Sequence, residues 1–221
     1  MKKRLINFKF IMTIAIIEIL CYMAVDMYLA SMTDISEYFG TSYSKVQLSL
    51  TFYLFAMGIG QLFFGPIIDF FGRKIPLILG ISLYALCSFA ITTSSNIELF
   101  LLYRVVQGLG VALIYVCLIS MVRDVSKGKV AAKIFAILIT IGAITPILAP
   151  AIGGYIDQVF GWKAVFYLLF ILAILVVVLS LFTLQETLKK EKKVTIDFKN
   201  IYEKSMAPEG VLTIKNRSNL N

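Results

Sequence analysis

Three ionisable side chains lie inside long apolar runs. Glu18 and Asp26 sit in IMTIAIIEILCYMAVDMYLA, and Arg104 sits in LFLLYRVVQGLGVALIYVCL. On insertion scales a charge at the centre of a membrane-spanning helix costs about 2.5–3.5 kcal/mol, so such groups face a protein interior or a watery cavity. Whether a buried carboxylate keeps its proton depends on its dielectric surroundings and on nearby cations. A group whose surroundings alternate can therefore bind and release a proton. At a helical rise of about 1.5 Å per residue, Asp26 lies about 8 Å and Arg104 about 9 Å from the same membrane face. Matched depth allows an ion pair between them. Glu18 lies two turns deeper, near the midplane and about 80° round the helix from Asp26, so both can line one cavity. Gln107 follows Arg104 by one turn on a similar face. A buried ion pair that only orients helices is the structural alternative.

These residues need a bundle of helices to hold them. Six apolar segments run over roughly 10–32, 46–68, 75–95, 98–121, 132–156 and 163–184. Each can cross about 30 Å of hydrocarbon as a helix, whereas open strands would leave edge groups unpaired there. The chain is 59% hydrophobic and 15% charged, against about 45–50% and 25% in soluble domains, which excludes an ordinary soluble globule. The expected fold is an all-α membrane protein. Residues 1–187 should form the six-helix transmembrane domain, and 188–221 a basic, polar cytoplasmic tail without order. In that tail Val194, Phe198, Ile201 and Tyr202 share one face, so a short helix on the membrane surface stays open.

The net charge of +8 reads as topology rather than nucleic-acid binding, because the cations cluster at the ends of apolar runs. Lys9, Arg73, Lys74, Arg123, Lys127, Lys129, Lys133 and the lysines from 189 to 193 fall on one side, as do Lys2, Lys3 and Arg4. Lys45 and Lys163 fall on the other, which places both termini in the cytoplasm. The first apolar run is longer than a signal-peptide core and carries acids, so it reads as a retained helix. Cys21, Cys87 and Cys117 form no CxxC pair and the chain has no histidine, so no metal site is expected. No nucleophile–base set, phosphate loop or dinucleotide fingerprint appears, and an enzyme is not expected.

The link between the second and third runs reads GPIIDFFGRK. Gly65, Asp69, Gly72, Arg73 and Lys74 there resemble the cytoplasmic loop motif of the major facilitator superfamily. LLYRVVQGLG resembles that family's fourth-helix motif through Arg104, Gln107, Gly108 and Gly110. APAIGG resembles the fifth-helix motif of drug/proton antiporters through Pro150, Gly153 and Gly154, with Ala149 in place of the first glycine. DMYLAS, RDVS and QETL look like stretches of the Bcr/CflA (bicyclomycin/chloramphenicol resistance) efflux proteins, Ala30 replacing a proline. Phe70 stands where many relatives carry arginine.

The resemblance implies the N-terminal half of a major facilitator fold, built as 3+3 inverted repeats in the cytoplasmic (inner) membrane. It implies multidrug efflux of small drugs by proton antiport, driven by the proton gradient with no cofactor. Asp26, Arg104, Glu18 and Gln107 would belong to the proton-coupling and substrate region. The loop motif would latch the cytoplasmic gate, and Pro150, Gly153 and Gly154 would shape helix packing. Asp69 would be offered to a partner such as a helix N-terminus, where a carboxylate is favoured. The partners implied are the lipid bilayer, drugs, protons, and a separate C-terminal half or a second copy of the chain. Six spans suggest a truncated or split exporter; a non-transporting six-helix scaffold or inactive remnant is the alternative.

Overall fold

The computed structural model describes residues 8–188; the N-terminal cations and the tail beyond lie outside the described residues. Among the described residues all regular structure is helical: α1 (Phe8–Leu29), α2 (Met32–Tyr38), α3 (Tyr43–Phe71), α4 (Lys74–Thr92), α5 (Ile97–Val125), α6 (Gly128–Phe160) and α7 (Trp162–Thr183). All but α2 are long and apolar enough to cross a membrane. They occupy the six expected segments, with α3, α5 and α6 longer than their apolar cores. The short α2 was not expected; it follows directly from the end of α1.

Local chemistry explains the boundaries. Ser42 and Asn96 cap α3 and α5 by accepting from the Lys45 and Leu99 amides. Gly72 ends α3 at φ 97°, a conformation that disfavours any side chain. GPIIDFF is therefore helical, and the link between α3 and α4 shrinks to Gly72 and Arg73.

α5 packs along α3 and α4, α1 packs along α6 and α7, and α4 meets α7. Exchanging the first three spans with the last three maps this pairing onto itself, as 3+3 repeats require. Among the buried residues of α3, Val46, Ser49, Tyr53, Ala56 and Gly60 recur every three or four positions and form one inward seam. Most of its remaining surface is apolar and exposed, with Leu62 78% and Phe63 67% exposed. Lipid, not water, is the medium in which such a face is stable.

Backbones approach closely at the crossings. A Cβ on Gly108 would strike the Tyr53 carbonyl, and one on Gly153 the Met27 carbonyl. Gly80 and Gly110 face each other between α4 and α5. Association in lipid gains little from hydrophobicity and depends on such close packing.

Candidate functional site

Arg104 lies at the centre of the bundle and is fully buried. Its guanidinium is stacked between the rings of Tyr28, 4.3 Å away, and Tyr53, 4.4 Å away. Nη1 donates to the Ala24 carbonyl at 3.1 Å and to Gln107 Oε1 at 2.7 Å. Gln107 Nε2 then donates to Ser88 Oγ at 2.9 Å, and Ser88 donates to the Tyr84 carbonyl. Tyr28 and Ser49 share a hydrogen bond of 2.8 Å. The cluster therefore ties α1, α3, α4 and α5 together. Nε and Nη2 make no hydrogen bond, so the aromatic faces carry much of the charge.

The expected Asp26–Arg104 ion pair is absent among the described residues. Depth is matched but direction is not. Arg104 meets α1 at Ala24 and Tyr28, one turn apart on one face, while Asp26 lies halfway between them and points elsewhere. Asp26 is buried with Oδ2 unpartnered. Of the residues that do hold Arg104, Tyr28 lies within the DMYLAS stretch, while Tyr53 carries no sequence signal beyond its helical spacing.

Glu18 faces a different space. It lines an open cleft of about 380 Å³ with Tyr22 of α1, Tyr115 and Arg123 of α5, and Phe135 and Leu138 of α6. Tyr22 and Tyr115 meet edge to face at 6.3 Å. Gly142 admits the Tyr22 hydroxyl, which a Cβ there would displace. Asp26 does not line this cleft. One buried carboxylate among aromatic rings can take a proton or an organic cation, and neither requires a partner from the protein.

A third cluster ties the α3–α4 link to the ends of α5 and α7. Arg73 reaches Asp69 at 2.7 Å and Asp124 at 3.2 Å. Thr187 also donates to Asp124, and Lys74 Nζ donates to the Leu181 carbonyl at 3.0 Å. The carboxylate on the α4 N-terminus is Glu186 rather than Asp69. It accepts from the amides of Arg73 at 2.9 and 3.0 Å, Lys74 at 3.2 Å and Leu188 at 2.9 Å. Gly72 leaves room for it. Glu186 belongs to the QETL stretch, but its own segment does not specify the amides it meets.

Burial pushes the Glu186 carboxyl up, but the amides of Arg73, Leu188, Lys74 and Thr187 outweigh it and hold it below its ordinary 4.5. A carboxylate depressed on folding stabilises the fold above its unfolded value and stops doing so as pH falls through the depressed one. We predict that Glu186→Gln lowers stability at neutral pH by at most about 1 kcal/mol, because solvent screens this exposed group. The difference from wild type should close below pH 4.5. Thermal unfolding at both pH values checks this, and a pH-independent difference contradicts it.

Gly65 lies within α3 and Pro150 within α6; Gly153 and Gly154 sit where α6 crosses the end of α1. Apart from Asp26 and Gly65, which join none of them, the predicted residues thus divide into the Arg104 core, the Glu18 cleft, the α3–α4 link and the α1–α6 crossing.

The Major Facilitator Superfamily model matches residues 14–217. The chain is 35% identical over 190 residues to the bicyclomycin resistance protein homolog of Haemophilus influenzae, covering 86% of this chain and 48% of that protein. It is 36% identical over 151 residues to a chloramphenicol resistance protein of Pseudomonas aeruginosa, covering 67% and 36%. Its fold aligns with the crystal structure of the peptide transporter POT in complex with alafosfalin at TM-score 0.75 and 16% identity, over 93% of this chain and 47% of the other. That last likeness concerns the fold alone. The chain spans about half the length of the curated relatives it matches. A match running through nearly all of a six-span bundle leaves one conclusion: this multi-pass membrane protein belongs to the Major Facilitator Superfamily.

Proposed function

We propose that the chain is the N-terminal half of a drug/proton antiporter, with both of its ends in the cytoplasm. The observation that carries this reading is the Glu18 cleft. A carboxylate only 6% exposed lies beside two tyrosines in an open cavity, with no ion pair among the described residues to neutralise it. Such a group holds a proton or an apolar cation, one at a time. Competition for one carboxylate is the elementary event of exchange, and export follows when the cleft opens alternately to the two sides. The relatives' names support drugs as the substrate class.

The test does not require transport. Purified chain in weak buffer near neutral pH is titrated with tetraphenylphosphonium while bound ligand and released protons are measured. The expected result is saturable binding that releases protons and is lost in Glu18→Gln. Binding without proton release, or binding unchanged by Glu18→Gln, contradicts the reading. Complete absence of binding favours the scaffold alternative, in which the sealed Arg104 core only holds helices together.

A further inference from the structure

Besides Glu18 and Asp26, a third buried carboxylate lies away from the Glu18 cleft, at the far end of the α1–α6 crossing from the Arg73 link. Gly153 lies against the Met27 carbonyl and Gly154 faces Ala30. Four residues beyond each of Met27 and Gly153, just past the end of α1, the Ser31 hydroxyl comes within reach of the Asp157 carboxylate. Neither Ser31 Oγ nor Asp157 Oδ1 completes a hydrogen bond in this arrangement. Ser31 is fully buried and Asp157 is 7% exposed. Ser31 also precedes α2 in the N-cap position, yet its side chain does not cap that helix. The hydroxyl is turned inward instead.

The surroundings offer this carboxylate no cation. Asp34 of α2 adds a second negative charge. On α1 the ionisable groups of this end are Asp26 and Tyr28, and Tyr28 is committed to Ser49 and Arg104. Lys163, at the start of α7, is held by the Tyr38 hydroxyl at 2.9 Å and by the rings of Tyr38 and Trp162. No ion pair among the described residues includes Asp157. A buried, uncompensated carboxylate next to other acids is stable only when neutral or hydrated.

We propose that Asp157 and Ser31 form a proton-binding site that closes this end of the α1–α6 crossing. With the proton on Asp157, the carboxyl group and the Ser31 hydroxyl can donate to and accept from one another, and the helix ends stay together. Loss of the proton to water leaves a carboxylate that needs hydration, and the helix ends part to admit it. The site is independent of the Glu18 cleft, so it stands or falls separately from drug binding.

Leu29 and Val159 are exposed at the two helix ends and suit nitroxide labels as a double cysteine variant, because Cys21, Cys87 and Cys117 are buried. Opening that requires loss of one proton changes the ratio of open to closed populations by about tenfold per pH unit while the closed form remains protonated. Distances between the labels should therefore show a growing longer component as pH rises. In Asp157→Asn, which cannot ionise, the short distance should persist at every pH. A pH-independent distance in the parent, or the same shift in Asp157→Asn, overturns the proposal. A second reading covers failure of that variant to fold. The infrared carbonyl band of a protonated carboxyl should shift in Ser31→Ala, and an unmoved band overturns the proposal equally.

Discussion

Arg104→Ala is expected to be the most damaging single truncation in this chain. Desolvated cation–π contacts are worth about 2 kcal/mol each, and Arg104 makes two of them, with Tyr28 and Tyr53. Its removal also opens a cavity and leaves Gln107 Oε1 and the Ala24 carbonyl without their donor. The unpartnered Nε and Nη2 already cost something in the native state, which offsets part of the loss. The net effect should be a destabilisation of about 3 kcal/mol, within the range of large core effects. Arg104→Lys should rescue little. An ammonium is a point charge that cannot stack flat between two rings while donating sideways to a carbonyl and an amide. The buried thiols Cys21, Cys87 and Cys117 give a direct assay, because a thiol-reactive fluorogenic dye labels them only as the bundle unfolds. A lysine variant that melts with the wild type would show that charge alone suffices and that the stacked geometry is incidental.

Gly108→Ala is expected to come next. The added methyl group would meet the carbonyl oxygen, carbonyl carbon and Cα of Tyr53, which are backbone atoms with no rotamer to escape into. α3 must then move away from α5, and Tyr53 moves with it, loosening one face of the Arg104 stack. Overpacking of this kind costs about 1–3 kcal/mol, and coupling to the arginine should place this case at the upper end. Gly58→Ala is the matched control. Gly58 lies in α3, the helix that Gly108 of α5 packs against, but a Cβ there meets nothing within 4 Å. The control should be neutral or slightly stabilising, since alanine is the better helix former. Equal melting of the two variants in the same dye assay would refute the claim that α3 and α5 are held by backbone contact. The double variant of Gly108→Ala with Arg104→Ala adds a sharper reading. Its loss should be smaller than the two single losses together, because both act on the same Tyr53 ring.

The sequence alone determined the six spans and the residues that had to face the interior. Apolar runs of about twenty residues have one stable answer in lipid, and their charges cannot face the acyl chains. The glycine patterns of the fourth and fifth spans likewise identified where backbones meet, because only glycine tolerates the approach found at Gly108 and Gly153. Which charge meets which partner was decided by the tertiary structure. Depth along a helix follows from counting residues, so Asp26 and Arg104 were placed correctly at similar levels. Rotation of one helix against another does not follow from counting. It is set by packing, and packing turned Arg104 to Tyr28 and Tyr53 and left Asp26 on another face. The same holds for Glu186, whose segment lies more than a hundred residues along the chain from the amides it accepts from. Ser31 and Asp157 meet for the same reason. Neither residue's own segment points to the other, and only the α1–α6 crossing, set by Gly153 against Met27, brings the hydroxyl to the carboxylate.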